Sequence, residues 1–272
     1  MKRKIYLSLL LLIISGSSLF GQLKYTFPQF FNESWEFMKQ PTKWDGGDWL
    51  KLGVVSAATF LVMKTIDQPI RDAVLRDGKY DANGFPIPGS QKYYNSFPIE
   101  FGRMWGELYM PVILFGGFAI HSLIADDIGT RKIAYEIGQA SLYAGAVTFL
   151  LKMAIGRSRP YTDRGTTSFH PFSSIFNQDD HSIPGGHTTA AMVLSTVLSR
   201  NAKPVWLKVL AYLPAALTFV SRIYQDQHWT SDDFFGAALG YFVATWVVDL
   251  HENNKSIVET SSAYPLSIRI AL

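Results

Sequence analysis

Two histidines, three cations and one carboxylate in the second half of the chain have the types and spacing for chemistry on an anion. In the segment 221–232 (SRIYQDQHWTSD), His228 and Asp232 are four apart, so on a helix they share one face. A carboxylate that accepts from one ring nitrogen fixes the tautomer and raises the basicity of the other. A histidine nucleophile or base needs that arrangement. Arg222 in the same segment offers a donor fork for phosphate oxygens. Alone, the His–Asp pair also reads as a surface ion pair. In 184–189 (PGGHTT), Gly185 and Gly186 let backbone N–H groups approach an anion closely. A helix starting there adds its unpaired donors, and His187 is placed to act as a general acid. The plain alternative is a helix cap using Thr188 or Thr189. In 152–160 (KMAIGRSRP), Lys152 and Arg159 are held close with Arg157 between them. Like charges gather this way where a dianion is held, although a charged helix end would also account for them.

These residues need elements to bring them together. Apolar helical segments are expected at 108–125, 134–152, 187–200, 205–221 and 233–250, each marginal against a membrane span of about 20 residues. No alternating strand pattern competes with them. Lys152, His187 and the 222–232 turn then fall at helix ends on one side of a bundle. The stretch 234–248 (FFGAALGYFVATWVV) carries no charge, which a soluble helix with a wet face would not show. Gly236 and Gly240 within it permit close helix packing. Cations in the expected loops 126–133 and 200–204 put those loops in the cytoplasm if the helices span, and the motif loops outside. By parity 52–63 is then interfacial, re-entrant or packed on the bundle. His121 is expected in a helix core, His251 as an end-of-helix cation, and His170 and His181 at the substrate entrance.

Residues 1–21 have the form of a secretory signal or anchor: Lys2, Arg3 and Lys4, then an apolar run, then small residues. Residues 26–49 interleave aromatics with Glu33, Glu36, Lys39 and Lys43, as at a membrane surface or against a core. Residues 65–100 read as a long loop with brief helical pieces. The 272 residues hold 48% hydrophobic and 17% charged side chains and no cysteine, with a mean hydropathy of +0.09. Disorder is excluded by that composition, and disulfides, thiolate metal sites and a cysteine nucleophile by the lack of cysteine. The formal charge of +3 is too small to indicate nucleic acid.

Taken together, the three segments resemble the type 2 phosphatidic acid phosphatase superfamily, which includes bacterial non-specific acid phosphatases and vanadium haloperoxidases. Its first motif, K-x6-RP, is met by Lys152, Arg159 and Pro160. The second, PSGH, is met by Pro184, Gly186 and His187, with Gly185 in place of the serine. The third, SR-x5-H-x3-D, is met by Ser221, Arg222, His228 and Asp232. The resemblance implies an all-α, membrane-embedded bundle of about five to six core helices over 105–250; it does not reach 22–104, which the signal-like start makes an exported or interfacial aromatic-rich region, nor the tail, 251–272. It implies a phosphatase without metal or other cofactor. His228 would be the nucleophile, Asp232 its orienting partner and His187 the general acid. Lys152, Arg159, Arg222 and the Gly185 and Gly186 amides would hold the phosphate. Vanadate would fit the same cradle. The implied partners are a lipid phosphate or a small phosphate ester and the membrane, with the site outside the cytoplasm. A soluble periplasmic acid phosphatase and a vanadate-dependent haloperoxidase are the alternatives.

Overall fold

The computed structural model describes residues 24–76 and 78–262, with side chains as far as Glu252. The signal-like segment 1–21 and the chain end 263–272 lie outside the described residues. The chain divides into two compact units at Lys43/Trp44. The first contains α1 (Phe27–Met38) and a single turn, α2 (Gln40–Lys43). Phe27, Phe31, Trp35 and Met38 make an exposed apolar stripe along α1 at helical spacing. Glu36 pairs with Lys39 and Lys43.

The second unit is helical throughout its regular structure. Its elements are α3 (Gly46–Thr65), α4 (Asp67–Leu75), α5 (Phe97–Trp105), α6 (Tyr109–Ala125), α7 (Ile128–Ile155), α8 (Gly186–Asn201), α9 (Val205–Leu210), α10 (Leu213–Tyr224) and α11 (Thr230–Ser262). Helix α3 starts where the Asp45 carboxylate accepts from Asp48 N. Helix α7 starts at Ile128, not after 133, because the Asp127 side chain accepts from Gly129 N. Arg131 and Lys132 are therefore helical and not in a loop. It ends at Gly156, whose φ of 62° suits a residue without Cβ. Lys152 sits in that last turn. The expected helix 205–221 is two pieces, broken at Ala211 and Tyr212, and 65–100 contains a regular helix, α4. Gly236 and Gly240 carry the close packing of α11 on α8: a Cβ on Gly236 would meet Gly185 O at 2.5 Å, and one on Gly240 would strike Thr189 O.

Among the described residues two stretches are long and apolar enough to cross a membrane, Val205–Tyr224 and Thr230–Glu252. The pairs α3–α4 and α5–α6 pass the same length and composition test as bent spans, at 48° and 69°. Val112, Leu123, Ile124, Leu150, Val205 and Val209 are exposed. Such a belt of bare apolar side chains suits lipid and not water.

Candidate active site

His228 lies in the turn between α10 and α11, the connection between the two candidate spans. Its backbone N–H donates to Arg222 O at 3.4 Å, and the side chain is buried. Asp232 lies in the first turn of α11, so the two do not share a helix face as the four-residue spacing suggests. Asp232 Oδ2 stays 4.0 Å from His228 Nδ1. Ser182 stands between them. Its hydroxyl donates to Asp232 Oδ2 and lies 3.5 Å from His228 Nδ1. A hydroxyl that donates to the carboxylate can accept from Nδ1–H, which leaves the Nε2 lone pair free. Asp232 Oδ2 also takes the Trp229 amide at 2.9 Å.

The three cations attach to the chain on both sides of His228 and Ser182. Lys152 Nζ donates to the carbonyls of His181 (2.5 Å) and Ser182 (3.1 Å). Arg159 donates through Nε to Gln178 O (2.9 Å) and through NH1 to Gln227 O (3.1 Å). Arg222 NH1 donates to Gln225 Oε1 at 2.8 Å, while its buried Nε–H finds no acceptor among the described residues. A buried guanidinium N–H without a partner is costly and calls for a physical reason. Burial, with Arg159, Lys152 and Arg222 close by, pushes His228 well below the usual histidine range. The ring is therefore neutral at neutral pH, as a nucleophile requires.

The glycine turn differs from the sequence reading. Gly185 N donates to Asp232 O at 2.9 Å, so that amide is engaged in the fold and does not reach a ligand. Gly186, His187 and Thr188 open α8, and their N–H groups make no hydrogen bond among the described residues. Those three are the donors available to an anion. The absence of a side chain at 185 has a physical cause. A Cβ there would strike the Asp233 carboxylate. Asp233 is fully buried, and its Oδ1 accepts from Thr188 Oγ1 at 2.7 Å. The Thr188 hydroxyl is thereby committed as well.

His187 is half-buried, and its Nε2 lies 3.3 Å from Glu107 Oε1. Burial and Arg222 draw it down to about 4, against the opposing pull of Glu107. Glu107 and Ser182 are neighbours of the site that motif spacing did not single out. Of the other histidines, His121 is exposed and not a core residue, with Nδ1 3.3 Å from Thr130 Oγ1. His251 is not an end-of-helix cation: it is buried inside α11, with Nδ1 3.1 Å from Glu136 Oε1. His170 is exposed, and His181 is buried with its carbonyl on Lys152. A cleft of about 370 Å³ opens beside His187 and Arg222, lined by Tyr94, Asn95, Glu100, Arg103 and Gln225 among others.

Residues 136–256 match the model of the PAP2 superfamily. The chain is similar to a lipid A 1-phosphatase of Porphyromonas gingivalis, 37% identical over 127 residues, which is 45% of this chain and 25% of that protein. It is also similar to a lipid A 1-phosphatase of Rhizobium johnstonii, 27% identical over 188 residues, 65% of this chain and 73% of that protein. The match thus spans about a quarter of the first relative's length. Among solved structures, it resembles a transmembrane PAP2 type phosphatidylglycerolphosphate phosphatase from Bacillus subtilis. The TM-score is 0.52 at 16% identity, over 75% of this chain and 94% of that one.

Proposed function

We propose that this chain, whose residues 136–256 match the PAP2 superfamily model, is a membrane phosphatase of that kind that removes phosphate from a lipid through a phosphohistidine. Lys152, Arg159, Arg222 and the Gly186–Thr188 amides hold the phosphate oxygens. His228 Nε2 attacks phosphorus, and the bond from phosphorus to the lipid oxygen breaks. His187 gives that oxygen its proton. In the free protein His187 is held too low to carry one; the bound dianion supplies the negative charge that lets it do so. Water, activated by the now neutral His187, then attacks the phosphohistidine and releases inorganic phosphate. Phosphoryl transfer asks chiefly for positioning and charge neutralisation, and three fixed cations provide both.

The observation that carries this reading is the neutral, buried His228 with its Nδ1 engaged toward Ser182 and the unpartnered Nε of Arg222 in the same site. We assign the 1-phosphate of lipid A as the substrate class, with the site on the outer side of the membrane. The names of the two relatives support that choice. So does the cleft beside His187, whose amide, hydroxyl and charged lining suits a hydroxyl-rich sugar headgroup.

Phosphate release by the purified protein from lipid A, phosphatidate, a prenyl pyrophosphate and a small ester tests this. Lipid A is expected to be turned over fastest, with EDTA without effect. Faster release from phosphatidate or the small ester would overturn the substrate assignment, and inhibition by EDTA the cation-only cradle.

A further inference from the structure

Asp67 opens α4 at the break after α3, far upstream of the family-matched segment, yet it touches the catalytic dyad's support. Its side chain is fully buried. Oδ1 accepts from Ser231 N at 2.9 Å, and Oδ2 from Ser231 Oγ at 2.6 Å and Arg157 NH2 at 2.8 Å. Arg157 is likewise fully buried. Its NH1 donates to Asp232 Oδ1 at 2.5 Å and to Ser231 Oγ at 2.7 Å. Nε and NH2 also reach Thr166 O, at 3.0 and 2.6 Å. One guanidinium is therefore shared by two carboxylates, one from α4 and one from the site.

We propose that Asp67 is a positioning residue for the reaction, acting through Arg157 on Asp232 and so on His228. The charge count gives the reason. Asp67, Arg157 and Asp232 together carry a net single negative charge. His228 is faced by Ser182 and Asp232 on one side and by Lys152, Arg159, Arg222 and His187 on the other. When Nε2 bonds to phosphorus, the ring gains positive charge, and Asp232 is the group that answers it. Without the Asp67 charge, Arg157 would neutralise Asp232 alone, and the Nδ1 side of the developing imidazolium would lose its net negative partner. In a buried site such a charge is poorly screened by solvent. Asp67 keeps Asp232 anionic in effect and holds Arg157 in the plane that lets it bond both carboxylates.

The inference rests on the phosphatase reading and is separable from it. If the wild-type protein releases no phosphate from any substrate, the reading fails; if wild type is active, the Asp67 variants decide the inference. Asp67→Asn keeps shape and removes charge. It is expected to lower kcat by about 10- to 100-fold, with KM and inhibition by inorganic phosphate changed less than about threefold. The acid limb of kcat/KM moves to lower pH, because the ring loses a negative neighbour. Asp67→Ser combined with Ser231→Asp returns the charge to Arg157 from the other side. It is expected to recover most of kcat and to return the limb. If the single variant does not fold, the exchanged pair alone is read against wild type. Wild-type kcat in Asp67→Asn overturns the proposal. So does a loss matched by weakened phosphate inhibition with the limb unmoved, or an exchanged pair that folds but stays slow.

Discussion

Asp233 takes the space that a side chain at 185 would need, and that one exchange shapes the phosphate cradle. The carboxylate lies against the glycine and is held by Thr188. Gly185→Ser is therefore expected to lower activity and to destabilise by about 1–3 kcal/mol, as overpacking does in a filled site. Asp233→Ala in the same chain is expected to return part of the melting temperature. Thermal melts of the single and double variants check both, and a single variant as stable as wild type would refute the overlap. Lys152, Arg159 and Arg222, which the structure ties to the segments around His228, were singled out in the sequence by their place at breaks beside apolar helices, where a charged helix end was the plain alternative. Their supports were not. Ser182 meets Asp232 across 50 residues and Asp67 meets Arg157 across 90. No local periodicity encodes such a contact, and serine and aspartate are ordinary loop and cap residues. The Gly185 amide was misread for the same reason: its partner, Asp232 O, comes from another helix.

Between α10 and α11 the chain turns through Asp226, which has a φ of 56°, in the left-handed region where a residue with a Cβ needs support. That support comes from α4. Arg71 forms a two-pronged bond to Asp226, at 2.8 and 3.0 Å, and a third to Asp163 at 2.7 Å. Its guanidinium also lies over the Trp229 ring. Arg71→Met leaves the Asp226 carboxylate buried without its cation, a loss of about 3–5 kcal/mol. Activity is expected to fall with it, since the turn holds His228. Denaturant unfolding and kcat measured together check this, and unchanged values of both would contradict it. The helix ends show what pattern reading resolves. The expected 108–125 and 187–200 agree with Tyr109–Ala125 and Gly186–Asn201 to one residue, because Gly, Asp or Pro stops each apolar run. The break at Ala211 and Tyr212 has no such stop signal, and continuous apolar sequence hid it. Helix α4 is one of the brief helical pieces expected in 65–100, and its Asp67 and Arg71 find their partners near the site, while Gln68 bonds Asp72 within the helix.

At the scale of the molecule, polar chemistry sits at the two ends of an apolar bundle. Opposite the site, Lys132 and Asn201 bond at 3.2 Å and Asn201 reaches Glu136 at 2.6 Å, while Arg200 pairs with Asp249. Between residues 132 and 152 of α7 the helix rises roughly 30 Å, about the hydrocarbon thickness of a bilayer. A mean hydropathy of only +0.09 thus averages a bare apolar belt with two polar ends. The protein is expected to leave the membrane fraction with detergent and to stay there on osmotic shock; release by shock alone would contradict the membrane fold. The central step of the proposed reaction is the bond from His228 to phosphorus. Acid-sensitive, base-stable labelling from a radiolabelled lipid phosphate, followed by peptide mapping, measures that directly. The label is expected on His228 in the wild-type protein, with neither label nor turnover in His228→Ala. Full turnover in His228→Ala, or label on another residue, would contradict it.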